Sequence, residues 1–213
     1  VGTSNVGGSY NVGGSTTVSG GTADFTGTVA NSGGSLVVSN GTVNFNNSAG
    51  VQFSALDLSG GTVGGTQTVA ISGPATWTAG TMTGAGSTVF NGTVALSGDA
   101  VKDVTGGRNL VFNNTTTWSG NTTNDGGRFR TGPNVTLTNN GTWLDQNAFN
   151  SRISADFGGP ATFVNAGTYT KSGVGTTEIA IGFSNAGTVN VNAGVLKLGG
   201  GGSSTGGTFN VVS

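Results

Sequence analysis

A small residue followed by threonine, at the start of an alternating segment, recurs along the chain at nearly constant spacing. The pairs are Gly21-Thr22, Gly41-Thr42, Gly61-Thr62, Gly80-Thr81, Asn121-Thr122, Gly141-Thr142, Gly167-Thr168, Gly187-Thr188 and Gly207-Thr208. Successive threonines are 20, 20, 19, 41, 20, 26, 20 and 20 residues apart. The interval of 41 would hold two degenerate repeats, and that of 26 one repeat with an insertion. Such a period predicts stacked structural repeats.

A second alternating segment precedes most of these pairs. It reads TTVSG at 16–20, LVVSN at 36–40, LDLSG at 56–60, TWTAG at 76–80, TTWSG at 116–120 and VTLTN at 135–139. Each repeat therefore contains a short strand, a turn and another strand. Because one such coil buries too little alone, stacking of coils predicts an all-β parallel β-helix, or β-solenoid. A β-sandwich is the alternative, since short strands at regular spacing also suit it, but the near-constant step of about 20 residues favours the solenoid.

The string NAGTVNVNAGVLKLGG near the C-terminus shows how one coil would be filled. Strand alternation places Val189 and Val191 on one face of their segment. After a turn, Leu196 and Leu198 point inward and Lys197 points outward. Each coil would thus contribute a few apolar side chains to a narrow core.

Glycine and asparagine would form the corners between strands. The chain has 43 glycines, which supply the positive φ angles that sharp corners require. Asn140, Asn165 and Asn185 recur at turn positions, so we expect amide ladders between neighbouring coils.

The segment 143–157, WLDQNAFNSRISADF, interrupts the period and lacks glycine. Phe149, Ile153 and Phe157 are spaced as one face of a helix would require. An extended loop is the alternative. Either way, we expect an insertion that leaves the regular coil near 143–157.

Composition excludes several classes of function. The formal net charge is −1 without a basic run, which argues against a nucleic-acid partner. No apolar stretch approaches the roughly 18 residues of a membrane span. Cysteine and histidine are absent, so disulfides, Cys/His zinc sites and histidine-based triads are excluded. We expect no cofactor and no metal. Only 7% of residues are charged, and serine, threonine and asparagine take their place, which suits a rigid extracellular structure.

Charged residues concentrate where the repeat degenerates, in the coils at about 99–156. They are Asp99, Lys102, Asp103, Arg108, Asp125, Arg128, Arg130, Asp145, Arg152 and Asp156. One interpretation is a polysaccharide-cleaving groove, with carboxylates from Asp99, Asp103 and Asp125. The other is ion pairing between adjacent coils. The absence of a compact acidic motif favours pairing, so we expect no enzyme.

Five residues are candidate ligand contacts: Trp77, Trp118, Trp143, Arg128 and Arg130. An exposed tryptophan can stack on a sugar ring, which would suit an adhesin. A tryptophan in an alternating strand can instead fill the interior, and this second interpretation is the favoured one.

Four strings resemble known repeats: NNGTW (139–143), NAGTYTKSG (165–173), NAGTVNVNAGVLKLGG (185–200) and TGGTFNV (205–211). They are similar to the passenger-type repeats of bacterial autotransporters and to haemagglutinin-like large exoprotein adhesins. The resemblance implies a right-handed, secreted or cell-surface parallel β-helix that is usually part of a larger protein.

The sequence thus predicts a single β-solenoid domain over residues 1–213 with a non-enzymatic structural or adhesive function. Neither end resembles a cap, so the open ends would self-associate into a fibre or surface layer, or continue into a longer chain. A glycan or cell-surface ligand is the expected external partner. The alternative function is a polysaccharide-binding or polysaccharide-degrading β-helix protein.

Overall fold

In a computed structural model, which describes residues 2–212, the chain winds as a β-solenoid of about ten coils. Each full coil contributes one strand to each of three faces. The described residues form strands and turns but no helix, and every strand pairing among them is parallel. The parallel pairing excludes the sandwich alternative and confirms the predicted solenoid.

The first face contains the N-terminal halves of β3 (Thr16–Phe25) and β5 (Ser35–Phe45), then β7 (Ala55–Leu58), β10 (Ala75–Trp77), β13 (Val94–Leu96), β16 (Thr115–Trp118), β19 (Thr142–Asp145), β22 (Thr168–Lys171), β25 (Thr188–Val191) and β28 (Thr208–Val211). The second face contains β1 (Thr3–Val6), the C-terminal halves of β3 and β5, then β8 (Thr62–Gly65), β11 (Gly80–Met82), β14 (Lys102–Val104), β17 (Phe129–Thr131), β20 (Ser151–Ser154), β23 (Thr176–Ile179) and β26 (Val195–Leu198).

The third face is divided into two sheets. A pair is formed by β2 (Ser9–Val12) and β4 (Thr28–Ser32). The eight-stranded sheet contains β6 (Val51–Phe53), β9 (Val69–Ile71), β12 (Ser87–Phe90), β15 (Asn109–Phe112), β18 (Val135–Asn139), β21 (Ala161–Asn165), β24 (Gly182–Asn185) and β27 (Gly202–Ser204).

The recurring Gly-Thr pair marks two different corners of the coil. In the first half of the chain, the threonines from Thr22 to Thr81 begin strands of the second face, and their glycines have positive φ angles. From Thr142 onward, the threonines begin strands of the first face. Thr122 lies outside any strand. The sequence period is therefore correct in length for the coils before β13 and after β22, but it changes phase between the two halves. The step of 20 from Thr122 to Thr142 does not match a coil, since Thr142 pairs with Thr115.

The segment 143–157 remains within the solenoid. It contributes most of β19 and the whole of β20, and the helix interpretation is wrong, because Ile153 is buried while Phe149 and Phe157 are 43% and 46% exposed. The coil here is longer than those that follow it, since Thr142 pairs with Thr168 whereas Thr168 pairs with Thr188. The coil before it is also long, since Thr115 pairs with Thr142. The additional residues widen the corners that flank β20. The widest corner, however, is 119–128, between β16 and β17.

Strand alternation fills the interior as predicted. Val189 is fully buried, and Leu196 and Leu198 occupy the same registers as buried residues of β23. Lys197 lies opposite Glu178 on the outer surface. Aromatic rings stack between coils in the same core, for example Phe90 on Phe112 with ring centroids 5.0 Å apart. Such stacking stabilises the core beyond the burial of apolar area alone.

The predicted asparagine ladders exist, and two of them each join three coils within residues 2–212. The buried ladder runs through the last residues of β18, β21 and β24, where Asn139 donates to Asn165 and Asn165 donates to Asn185, both at 2.8 Å. The exposed ladder lies one position further along the chain. There, Asn140 donates to Asn113 at 2.8 Å, and Asn113 donates to Asn91 at 2.9 Å.

Candidate functional site

The three tryptophans lie inside the coil. Trp77, Trp118 and Trp143 are all on first-face strands, and each has 0% of its surface exposed. Trp118 donates its indole N–H to the carbonyl oxygen of Gly127 at 2.9 Å, and its ring packs edge-on against Trp143. No ligand at the surface can stack on these rings, so the packing supports the core interpretation and not ligand contact.

Arg130 is held by a carboxylate from the coil before it. Its guanidinium donates two hydrogen bonds of 2.7 Å to Asp103, the residue directly opposite it in the second-face sheet. The paired carboxylate raises the pKa of Arg130. The guanidinium also lies 5.1 Å from the ring centroid of Phe157. Arg130 therefore contributes mainly to contacts between coils, since its fork is already occupied.

Arg128 connects the wide corner to the following coil. Its Nη1 lies 3.2 Å from carboxylate oxygens of both Asp125 and Asp156. Asp125 also forms an ion pair of 3.0 Å with Arg152. The two arginines thus neutralise Asp125, which adopts a positive φ of 66° at the tip of the corner.

A cleft of about 330 Å³ opens beside this corner. We call it the charged cleft, and it is lined by Asn124, Asp125, Asn150, Ser151, Arg152, Thr176, Glu178 and Lys197. Arg152, Glu178 and Lys197 occupy one column of the second face, and Lys197 pairs with Glu178 at 2.7 Å. The result is a line of alternating negative and positive groups along the solenoid axis.

The sequence did not single out Glu178 and Lys197. They lie outside the charge-rich region of about 99–156, and only the strand register brings them beside Arg152. The sequence carried one weak signal, the outward position expected for Lys197, which the structure confirms.

The remaining charged groups of the region do not converge on the cleft. Asp99 accepts hydrogen bonds from the backbone and hydroxyl of Thr122, which lower the pKa of Asp99. Lys102 and Arg108 are fully buried and donate to carbonyl oxygens of neighbouring turns. Asp145 is also buried, inside the first face.

The proposed carboxylate set for polysaccharide cleavage is therefore dispersed among separate partners. Asp99 caps a turn, Asp103 binds Arg130, and Asp125 binds Arg128 and Arg152. Within residues 2–212, no group of three or more acidic side chains is arranged to hold a metal ion. What the charged cleft offers chemically is a set of hydrogen-bond donors and acceptors for a polar ligand.

A larger cleft, of about 440 Å³, lies on the third face where β4 and β6 do not form a ladder. Its lining, from Val29 to Gly33, from Gly50 to Ser54, and Ser72, contains no charged side chain. It therefore lacks the groups with which acid–base chemistry begins.

Comparisons with known proteins return no relative for this chain. No family model, no curated protein and no solved structure matches it. Across the described residues, no helix is both long and apolar enough to cross a membrane.

Proposed function

We propose that this chain is a non-enzymatic, extracellular or cell-surface β-solenoid with a structural or adhesive role. The observation that supports this most directly is the continuity of the coil stack from β1 to β28. Buried polar side chains also form hydrogen bonds between coils, as in the ladder through Asn139, Asn165 and Asn185. Such a column is stiff because each coil is held by its neighbours.

The extracellular location rests on composition. Only 7% of residues are charged and cysteine is absent, while threonine, serine and asparagine cover the corners. An antibody against the purified chain should label intact cells of the source. Labelling only after the cells are opened would contradict this part of the proposal.

Self-association is the assembly that we propose for the purified chain. Phe209 and Val211 in the last described coil are 46% and 75% exposed, whereas Val189 one coil earlier is fully buried. A further coil would cover this apolar surface, and a second copy supplies one. If the polypeptide continues in a longer protein, its next coil would occupy the same place.

Negative-stain microscopy of the 213-residue chain tests this assembly. We expect rods that lengthen as concentration rises, and Phe209→Asp should shorten them because it places a charge on the covered surface. Val174→Asp is the matched control, since Val174 is 74% exposed in the corner between β22 and β23. Rods of single-copy length at every concentration would contradict self-association and leave the structural role to a longer chain.

Polysaccharide binding is the second candidate, and the charged cleft supports it. Arg152→Ala and Lys197→Ala should both weaken binding of an acidic polysaccharide in a pull-down, while Asp57→Asn on the exposed side of β7 should not. Equal binding by all variants would refute a role for the cleft. Cleavage of the polysaccharide that is lost in Asp99→Ala or Asp125→Ala would instead support a degrading enzyme.

A further inference from the structure

One column of the interior contains two opposite charges among apolar residues. It is the second inward position of the first face, and its members in coil order are Val18, Val38, Leu58, Trp77, Leu96, Trp118, Asp145, Lys171, Val191 and Val211. Asp145 and Lys171 lie directly opposite each other on β19 and β22, and both side chains have no exposed surface. Two adjacent coils thus carry a carboxyl group and an amine at a position that is apolar in the other coils.

The two groups contact each other without good ion-pair geometry. Lys171 Nζ lies 3.7 Å from Asp145 Oδ1, and its hydrogen bond, 2.5 Å long, goes to the carbonyl oxygen of Gly173. An ammonium group has three N–H donors, so this environment is better matched to an amine than to a cation. Burial lowers the pKa of Lys171, and the charge of Asp145 opposes that shift.

The carboxyl group, in contrast, is surrounded by donors. Asn147 directs its backbone N–H at 3.2 Å and its side-chain N–H at 3.0 Å to Asp145 Oδ1. Tyr169 donates its hydroxyl to Asp145 Oδ2 at 2.9 Å. The four side chains are fully buried, so bulk water does not reach the group. Burial penalises the charge of Lys171, whose Nζ has one hydrogen bond, so the folded core favours the neutral amine.

We propose that Lys171 and Asp145 condense into an intramolecular amide that cross-links two adjacent coils. The new bond joins Lys171 Nζ to Asp145 Cγ, and the bond from Cγ to Oδ2 breaks. Oδ2 leaves as water with two of the three protons that the amine and the carboxyl group hold between them, and no oxidant or co-reactant is consumed. The lone pair of the neutral amine is the nucleophile.

The donors around Asp145 match the charges that develop during this step. When the amine attacks, negative charge grows on Oδ1, where both N–H groups of Asn147 are already directed. Tyr169 donates to Oδ2, the oxygen that must leave, and the proton lost from Nζ replaces the one it gives. A cross-link here would join β19 to β22, in a coil that is longer than those that follow it.

Lys102 provides an internal comparison, because it is equally buried and differently surrounded. Its Nζ donates to the carbonyl oxygens of Ser97, Ala100 and Thr78, at 3.0, 3.2 and 3.4 Å. None of the ion pairs within residues 2–212 includes it. Lys102 therefore has the acceptors of a cation and no carboxyl group to attack.

The mass of the purified, folded chain tests the proposal without any substitution. We expect the intact protein to be lighter than its sequence by the mass of one water molecule. Lys171→Arg should have its full sequence mass, because a guanidinium remains protonated and is not nucleophilic. Lys102→Met should retain the deficit. Full sequence mass in the folded wild-type chain after prolonged incubation would overturn the proposal.

Tryptic mapping then locates the bond. Trypsin should cleave after Arg130, Arg152 and Lys197, but not after Lys171 if its amine is acylated. The product would be one branched species made of 131–152 and 153–197. Separate peptides 131–152 and 153–171 would overturn the proposal. So would a bond to Asn147, which is recognised by loss of ammonia in place of water.

The rate of cross-linking tests the chemistry apart from the fold. Tyr169→Phe keeps the ring in the core and removes the hydroxyl donor, so the mass loss should appear on the order of a hundredfold more slowly after refolding. A merely structural role for Tyr169 predicts an unchanged rate and would overturn its assignment as the donor to the leaving oxygen.

Discussion

Removal of the middle amide from the buried asparagine ladder tests how the coils are held together. Asn165 accepts a hydrogen bond from Asn139 at 2.8 Å, and it donates to Asn185 at 2.8 Å and to the carbonyl oxygen of Thr188 at 3.1 Å. Asn165→Ala removes all three bonds. Asn185 Oδ1 then has no donor, while Asn139 Nδ2 keeps the carbonyl oxygen of Thr168.

The magnitude follows from what remains unpaired. A buried polar group without a partner costs about 1–3 kcal/mol, and the hydrogen bond from Asn139 is lost at about 1 kcal/mol. We therefore expect Asn165→Ala to lower the free energy of unfolding by about 2–4 kcal/mol. The side chain is fully buried, so water cannot replace the lost partners without opening the coil.

Asn113→Ala is the matched control, because Asn113 is the middle amide of the exposed ladder. It donates to Asn91 at 2.9 Å and accepts from Asn140 at 2.8 Å, but water replaces both bonds after truncation. Surface changes of this kind stay within about 0.5 kcal/mol. Urea titrations followed by far-ultraviolet circular dichroism compare the free energies of unfolding of the two variants, provided that the dependence on urea concentration has the same slope in both. Equal losses for the two variants would refute the argument that the buried ladder is the stabilising one.

Three further predictions follow from the corners and the core. A Cβ on Gly187 would overlap the carbonyl oxygen of Gly167, so Gly187→Ala should destabilise the chain by more than about 1 kcal/mol, the scale of an overpacked site. Gly8→Ala is the control and should leave stability unchanged, because a Cβ on Gly8 meets no neighbour. The midpoints of urea unfolding compare the two variants. Burial lowers the pKa of Lys102 from 10.5 to about 8, so the unfolded state binds more protons than the folded state between these two pH values. The free energy of unfolding should therefore rise with pH across that window. Lys102→Met should remove this rise in urea titrations carried out at several pH values. The three tryptophans should resist quenching by acrylamide until the chain unfolds, and strong quenching in the native state would contradict their burial.

The fold could be predicted because the signal repeats in most coils. The period of about 20 residues predicted the coil, and the structure confirms it. Strand alternation predicted which side chains face inward and which face outward, as at Val189, Leu196 and Lys197. The phase of the coils could not be predicted, since a small residue before threonine suits two different corners. At Gly41 the corner needs a φ of 77°, whereas at Gly187 it needs close approach to the carbonyl oxygen of the preceding coil.

The candidate site was harder to predict than the fold, for a geometric reason. Contacts along a solenoid depend on which residues share a register, and the offsets change from 26 to 20 residues between neighbouring coils. The sequence analysis could therefore group the charged residues of about 99–156 only by their proximity along the chain. The structure groups Arg152 with Glu178 and Lys197, and it separates Asp145 from them by placing it inside the core.

The buried polar groups also answer how a repetitive chain keeps its coils in order. The column that contains Asp145 and Lys171 is apolar in other coils, for example at Val38 and Leu58. Those coils would accept a neighbour displaced by a whole coil, because their side chains are interchangeable in kind. A displacement by one coil at β19 would place Asp145 against Val191 and separate the buried carboxyl group from the buried amine. A buried polar group that loses its partner costs about 1–3 kcal/mol. The pair of Asp145 and Lys171 therefore favours one stacking register, and an amide between them would make that register permanent.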